Sequence, residues 1–350
     1  MPIPTKYVMS RYELTTLLEK HFPDRNMPCI IRFAKPMKEL KKIGKLGIGV
    51  SAYLDNTVEI PTVYICADAE DQAVYAPTYS SGLFSRRFGL CDIDLSGLDT
   101  SYVKDMSEFF LCCHGLTKLD LSSLNTGHVT TMKQMFSYCS GLTELDLSCL
   151  DTSSVTDMEG MFSGCRGFTQ FDISPLDTGK VTNMSMMFSY CDALTSMDLS
   201  VLDTSNVTDM ANMFREDHKL QQVNFRGIDT SHLVNMSSMF YYCDALTRLD
   251  LSSFNTSNLR SIKHMFAFCR ELTEIDISGF DLTNVSDTTL AFTACDKLKN
   301  IITGYRDVQF RQYQCERCSH IPIDCKYCMF HTGQNKVGEF VKIGNYMSCK

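Results

Sequence analysis

Apolar and polar positions recur along this chain in a repeat of 26 residues that covers roughly residues 80–300. Within one repeat, Leu142, Leu145, Leu147 and Leu150 give the pattern L-x-x-L-x-L-x-x-L. The alternation around Leu145 and Leu147 predicts a short strand with these two side chains turned inward. An acidic ladder keeps the same register from repeat to repeat: Asp94, Asp120, Asp146, Asp172, Asp198, Asn224, Asp250 and Asp276. Self-similarity at a fixed period indicates stacked repeats.

The second half of each repeat has a different apolar spacing. Val155, Met158, Phe162 and Cys165 follow one another at steps of three and four residues. This spacing predicts a short helix or helical turn with these side chains along one side. A single repeat of this size cannot bury its apolar face, so neighbouring repeats must stack. We therefore expect an α/β leucine-rich-repeat solenoid with parallel strands about 4.8 Å apart on its concave wall.

Stacking brings like residues into columns. One column holds phenylalanines, as in Phe136 and Phe162, and we interpret it as core packing beside a column of methionines. A second column contains cysteines: Cys113, Cys139, Cys165, Cys191, Cys243, Cys269 and Cys295. We interpret these as small buried thiols, with disulfides along the column as the alternative. A third column contains threonines, such as Thr126 and Thr152, whose hydroxyls are expected to stabilise successive corners rather than form an ice-binding face.

The repeat LxxLDLSxLDTSxVTDMxxMFxxC resembles that of the BspA-like leucine-rich-repeat proteins, which include bacterial surface lipoproteins and adhesins. The resemblance covers roughly residues 80–300. Known members are mostly extracellular binders of host proteins or of other bacteria. The resemblance therefore implies a module for non-enzymatic interaction.

The two ends of the chain do not repeat. At the N-terminus, an amphipathic helix is predicted to open near Ser10 and CIIRF at 29–33 reads as a strand. The apolar positions of that helix are Tyr12, Leu14, Leu17, Leu18 and Phe22. We expect residues 1–78 to form a small α+β cap, 79–304 the solenoid and 305–350 a small cysteine-rich module. A cap is needed because an open end exposes apolar surface and a strand edge.

The C-terminal module carries two CxxC pairs, formed by Cys315, Cys318, Cys325 and Cys328. Four thiolates make the soft tetrahedral set that zinc prefers. A closed set of four leaves no position for water, so the predicted site is structural and not catalytic. Paired disulfides are the alternative interpretation.

Composition and charge narrow the class of partner. The chain has 350 residues, of which 44% are hydrophobic, so it can fold around a sizeable core. The net charge of −8 disfavours nucleic acid and anionic membranes. The N-terminal residues MPIPTKYVMSRYELTTLLEKHF carry charges where a signal peptide needs an apolar core. We therefore expect a cytoplasmic location, or the cell surface if a leader was removed.

The candidate binding residues point outward beside the inward leucines. One column varies from repeat to repeat: Lys118, Glu144, Gln170, Ser196, Gln222, Arg248 and Glu274. Variation on a constant scaffold is what a recognition surface requires. The acidic ladder supplies Asp120, Asp146, Asp172, Asp198 and Asp250. These aspartates are expected either to accept hydrogen bonds from nearby hydroxyls and turn amides or to bind a basic protein partner.

One repeat departs from the pattern. Asp217 stands in the cysteine column, Asn224 stands in the acidic ladder, and Arg215, His218 and Arg226 are added. This relaxation indicates either a contact site or sequence drift.

The sequence contains no phosphate-binding glycine loop, no GxSxG and no supported catalytic pair. We therefore predict a non-enzymatic protein-binding scaffold that acts inside a cell, either its own or one that it enters as an effector or a mobile-element protein. The alternative is an exported surface adhesin. An enzyme with its chemistry in the N-terminal cap ranks third, and the sequence sets no oligomeric state.

Overall fold

The computed structural model describes residues 4–36, 39–69, 72–303 and 340–342. The chain divides into two compact units. The first unit comprises Met1–Phe168 and Pro175–Lys180, and the second comprises Thr169–Ser174 and Val181–Lys350. In the described part of the chain, no helix has the length and apolar composition that crossing a membrane requires.

Strands dominate the regular structure. The described residues of the first unit form one helix and seven strands: α1 (Arg11–His21), β1 (Cys29–Arg32), β2 (Lys42–Lys45), β3 (Val50–Asp55), β4 (Thr62–Ala67), β5 (Val74–Tyr75), β6 (Leu90–Asp94) and β7 (Leu98–Asp99). The second unit contains β8 (Ser196–Asp198), β9 (Gln222–Asn224), β10 (Arg248–Asp250), β11 (Glu274–Ile277), β12 (Asn300–Thr303) and β13 (Phe340–Lys342). Within the described residues the fold is therefore mostly β, and the α/β expectation is corrected accordingly.

The N-terminal elements form where the sequence places them. Ser10 caps α1, since its hydroxyl accepts a hydrogen bond from the amide of Glu13 at 3.3 Å. Leu14, Leu17 and Leu18 are buried, as the apolar pattern predicts. Tyr12 is 79% exposed, so its inclusion in the apolar face was wrong.

A five-stranded sheet joins these N-terminal elements to the first repeat. Its strand order is β2-β3-β4-β1-β6. The central strand β1 pairs in parallel with both β4 and β6, while β2-β3 and β3-β4 are antiparallel. β6 ends at Asp94, the first position of the acidic ladder, and therefore belongs to the first repeat. The strand predicted at 29–33 forms as β1, which pairs with β6 and so covers the edge of this repeat.

The second half of each repeat is a run of overlapping turns, and the prediction of a short helix there is wrong. Alternate residues donate their amide N–H groups to the following repeat at 2.6–3.0 Å: Met132 to Asp157, Gln134 to Glu159, Phe136 to Met161, and Tyr138 to Ser163. The amides between them donate to the carbonyl three residues back at 3.0–3.1 Å: Met135 to Met132, Ser137 to Gln134, and Cys139 to Phe136. These bonds tie each repeat to its neighbour.

Left-handed residues explain why the run is not helical. Gln134 and Tyr138 have φ values of 54° and 57°, and Gly160 and Gly164 hold the same positions in the next repeat with 59° and 72°. A left-handed residue other than glycine costs about 1–2 kcal/mol and cannot continue a right-handed helix. Successive turns space apolar residues by three and four, as a helix does. The apolar pattern alone therefore could not separate the two structures.

The phenylalanine column forms the interior, as predicted. In the first unit Phe110, Phe136 and Phe162 stack with ring centroids 5.9 and 5.8 Å apart. In the second unit Phe214 stacks on Phe188 and on Phe240 at 5.8 and 5.7 Å. The regular spacing confirms core packing.

The cysteine column consists of free, buried thiols. Six of the seven thiols donate to a phenylalanine carbonyl of the preceding repeat, as Cys139 does to Phe110 and Cys165 to Phe136, both at 3.1 Å. The Cys191 thiol donates to the Ser189 carbonyl at 3.9 Å. Burial raises the pKa of Cys165 to about 12, so this thiol keeps its proton near neutral pH and can donate. The interpretation as reduced core thiols is confirmed for this structure.

The threonine column links repeats at their corners. The Thr126 hydroxyl donates to the carbonyl of Asp151 at 3.0 Å and accepts from the Asp151 amide at 2.8 Å. Thr230 makes the same pair of bonds with Asn255 at 3.1 and 2.8 Å. The predicted role of turn hydroxyls is confirmed, and burial keeps the column from presenting a face to ice.

Replacing Thr126 by valine is expected to lower the free energy of unfolding by about 1–3 kcal/mol. Valine keeps the side-chain shape but leaves the amide and the carbonyl of Asp151 without the hydroxyl that satisfies them. Denaturant titration measures the loss. Thr117→Val, at an exposed position of the same chemistry, is the matched control and should change stability by less than about 0.5 kcal/mol. Equal losses at the two positions would contradict the corner role.

The predicted strands at the start of each repeat differ in how they pair. In the second unit β8 pairs in parallel with β9, and β10, β11 and β12 form a continuous parallel ladder. In the first unit Leu145 and Leu147 point inward with 9% and 1% exposure, as predicted. The described backbone of 118–120 and 144–146, however, makes no ladder bonds.

Candidate functional site

The predicted binding residues lie at the surface, on what we call the strand face. In the first unit this face presents Lys118, Asp120, Glu144 and Asp146, all exposed. In the second unit Ser196 lies opposite Gln222 across β8 and β9, and Arg248 lies opposite Glu274 across β10 and β11. Gln170 and Asp172 of the second unit are also exposed. Within each unit the candidate residues therefore lie at exposed or half-exposed positions of successive repeats.

A groove of about 440 Å³ runs between two strand segments of the first unit. Its lining consists of Lys118, Leu119, Asp120, Glu144, Leu145 and Asp146. The two leucines form an apolar floor, and three of the four charged side chains around it are carboxylates. The first unit therefore offers an acidic groove built from residues that the sequence had singled out.

Turn hydrogen bonds favour the ionised form of the two aspartates that line this groove. The Ser122 amide donates to Asp120 at 2.9 Å, and the Ser148 amide donates to Asp146 at 2.9 Å. Bonds from the serine hydroxyl and amide lower the pKa of both aspartates below the ordinary value. The predicted turn-capping role of the ladder is confirmed, and it leaves the negative charge available to a partner.

The same capping recurs along the ladder in the second unit. Amides two residues ahead donate to Asp172, Asp198 and Asp250, each at 2.9 Å. Asn224 replaces the aspartate once and still accepts from the Arg226 amide at 3.1 Å. An asparagine at a ladder position therefore keeps the turn while removing the charge.

The second unit has its own groove, of about 310 Å³, where β9 and β10 lie side by side without pairing. Arg226, Arg248 and Asp250 are its charged lining residues. Its charge is therefore opposite in sign to that of the first unit's groove. The irregular repeat contributes Arg226, which the sequence had marked as a candidate contact.

An aromatic cluster in the second unit was missed by sequence reasoning. Tyr242 and Phe268 stack with ring centroids 4.3 Å apart and planes 2° apart. Tyr241 packs edge-on against Tyr242 at 4.8 Å, and the Arg215 guanidinium lies 4.6 Å from the Tyr241 ring centroid. Arg270 sits 5.6 Å from the Tyr242 ring. Tyr242 and Phe268 hold the same repeat position as Gly164, and all three have positive φ. In the sequence, the glycine at 164 is the signal that could have marked this position.

Asp217 occupies the cysteine column as a fully buried carboxyl group, with 0% exposure. One oxygen accepts from the Cys191 amide at 2.7 Å, and the other has no hydrogen-bond partner. Loss of solvation raises the pKa of Asp217 well above its ordinary value, and the neighbouring Asp192 raises it further. The departure predicted from the sequence thus creates a buried titratable group.

The predicted zinc ligands Cys315, Cys318, Cys325 and Cys328 lie outside the described residues. Among the residues that are described, no group of three or more histidine, cysteine or carboxylate side chains is arranged to hold a metal ion. The zinc site stays a prediction.

Comparisons with known proteins address the repeat region. Residues 80–199, 116–222 and 182–305 match the family described as Mycoplasma protein of unknown function, DUF285. No curated protein matches the chain. The functional domain of InlJ from Listeria monocytogenes, described as including a cysteine ladder, is 18% identical, with 57% of this chain and 53% of that chain covered and a TM-score of 0.15. This chain spans about half the length of that domain.

Proposed function

This chain belongs to the DUF285 family, and we propose that its repeats form a non-enzymatic protein-binding scaffold. The observation that carries the proposal is the strand face. It combines exposed, varied side chains such as Lys118, Glu144 and Arg248 with a repeat whose 26-residue register does not slip. A fixed frame with variable outward residues supplies specificity without altering the core.

We also propose that the repeats are leucine-rich repeats of the BspA-like kind, stacked as a solenoid. The inward Leu145 and Leu147, the parallel pairing of β8 with β9 and of β10 with β11, and the threonine bonds between successive corners support this assignment.

The site of action that we propose is the interior of a cell, as a scaffold or as an effector that blocks a target protein. Support comes from the buried thiols of Cys139, Cys165 and Cys269, which use their protons in hydrogen bonds between repeats. A reducing compartment preserves those protons. Recovery of the chain on the surface of intact cells would overturn this part of the proposal and favour the adhesin.

A protein with a basic surface is the proposed partner, because carboxylates predominate in the first unit's groove. The test is capture of partners by the tagged full chain from its native cells, followed by titration of each purified partner. We expect Glu144→Lys to weaken binding at least tenfold and to flatten its dependence on salt. Glu59→Lys, the same charge change at an exposed residue of the first unit away from the strand face, is the matched control. Equal binding by the two variants, at every salt concentration, would contradict the proposal.

A further inference from the structure

In the first unit the described strand segments of successive repeats are not paired, since β6 bonds only to β1 and the next two segments make no ladder bonds. The amides and carbonyls of Lys118, Leu119 and Asp120 make no hydrogen bonds to those of Glu144, Leu145 and Asp146, although both segments are described throughout. In the second unit the equivalent segments of β10 and β11 pair residue by residue, Arg248 with Glu274 and Asp250 with Asp276. Strand segments with unpaired backbone groups are templates for pairing with another chain.

The groove of about 440 Å³ lies between these two segments, so the unpaired backbone groups and the acidic side chains share one site. Extended segments place successive side chains on opposite faces. Leu119 and Leu145 therefore lie on the floor, while Lys118, Asp120, Glu144 and Asp146 stand around the opening. The groove therefore presents unpaired backbone amides and carbonyls together with charged side chains to a ligand.

From this juxtaposition we propose that the first unit binds an extended, lysine- or arginine-bearing segment of a partner protein by strand addition in this groove. The inference rests on the proposed function, because it specifies how the scaffold holds its partner. Main-chain bonds provide affinity in strand addition, and side-chain pairing sets specificity. Here the specificity comes from Asp120, Glu144 and Asp146, opposed within the groove only by Lys118.

Charge decides between the possible occupants. A second copy of this chain would bring the same three carboxylates to the contact, and like charges placed opposite one another destabilise a strand pair. An acidic segment would meet the same repulsion. The groove of the second unit, with Arg226 and Arg248 beside Asp250, favours acidic over basic segments and serves as an internal control.

The experiment uses the full chain and two synthetic peptides. The first is an N-acetylated, C-amidated peptide of alternating lysine and threonine, seven residues long, and the second replaces each lysine with glutamate. We expect calorimetry at low salt to show saturable binding of one lysine peptide per chain, with at least tenfold weaker binding of the glutamate peptide. Hydrogen exchange should slow at the amides of Leu119, Asp120, Leu145 and Asp146 when the lysine peptide binds.

A third peptide separates strand addition from simple charge attraction. N-methylation of every backbone amide of the lysine peptide removes its donors and keeps its charge. We expect this peptide to bind at least tenfold more weakly than the parent. Equal binding of the two, or slowed exchange confined to residues outside the groove, would overturn the inference.

Two conservative variants locate the site on the chain. The pair Glu144→Gln and Asp146→Asn removes two charges, and asparagine keeps the ladder turn, as Asn224 does with the Arg226 amide at 3.1 Å. This double variant should bind the lysine peptide at least tenfold more weakly. The matched pair Glu274→Gln and Asp276→Asn, on the paired strand β11, should leave affinity within twofold. An equal effect of both pairs would overturn the inference.

Failure of this inference can be told from failure of the proposed function. If the peptides do not bind but partner proteins still bind in a manner that depends on Glu144, the scaffold proposal holds and strand addition is wrong. If the lysine peptide binds as described but no protein partner depends on the strand face, the proposed function is wrong.

Discussion

Replacing Phe136 by alanine is expected to lower the free energy of unfolding by about 3–5 kcal/mol, because it leaves a cavity in the middle of a stacked column. The ring is 0% exposed and lies between Phe110 and Phe162 at centroid distances of 5.9 and 5.8 Å. Repeats contact only their neighbours, so the defect is not spread over a larger core.

The control for this variant is Tyr12→Ala, which truncates an aromatic ring in the same unit where it is 79% exposed. That change should alter stability by less than about 1 kcal/mol. Denaturant titrations of the two variants and the parent chain give the comparison. Similar losses for the two variants would mean that Phe136 does not lie in a packed interior column.

Replacing Asp217 by cysteine is expected to stabilise the protein by about 1–3 kcal/mol at pH 8, the usual penalty for an unsatisfied buried polar group. The carboxyl is fully buried and one of its oxygens has no hydrogen-bond partner. Cysteine would restore the column, in which Cys243 donates to the Phe214 carbonyl at 3.0 Å and Cys269 to that of Phe240 at 2.9 Å.

This stabilisation should depend on pH in a definite direction. Burial raises the pKa of Asp217 in the folded state, so above pH about 4 the folded chain holds a proton that the unfolded chain has lost. The parent chain therefore loses stability relative to the variant as pH rises from about 4 until the folded carboxyl also ionises. The titratable groups nearest to it are Asp192, Cys191 and Cys243, and the two cysteines remain in both chains.

Denaturant titrations of the parent chain and the Asp217→Cys variant from pH 4 to pH 8 give the difference between their free energies of unfolding. Taking this difference removes the contributions of the other carboxyl groups. Asp217→Asn is the matched control, since asparagine keeps an acceptor for the Cys191 amide but does not titrate. Both variants should lack the decline seen in the parent chain. A difference that stays constant over this pH range would show that Asp217 is not a buried, protonated group.

The sequence predicted the parts of the fold that depend on which side chains are buried. The repeat, the phenylalanine and cysteine columns, α1 and β1 all follow from apolar spacing or from a capping residue such as Ser10. The overlapping turns did not follow, because their form depends on backbone dihedral angles. Gln134 and Tyr138 adopt positive φ, which only the glycines at 160 and 164 signal in the sequence.

For the candidate site, the sequence predicted which side chains face outward but not how the backbone segments pair. The period placed Lys118 and Glu144 on one face, and their alternation with Leu119 and Leu145 set them outward. The 26-residue offset is the same where β10 and β11 pair and where 118–120 and 144–146 do not, so the period does not show which segments pair. The opening in the first unit, and the cluster around Tyr242, therefore emerged only from the structure.

The central claim is that partners bind at the strand face, and site-specific photo-cross-linking in native cells tests it most directly. A photoreactive residue is placed at Glu144 or at Ser196, and, as the control, at exposed Lys263 in the turn half of a repeat. We predict cross-linked protein adducts from Glu144 and Ser196 and none from Lys263. Adducts from Lys263 alone, or from none of the three positions, would contradict the account.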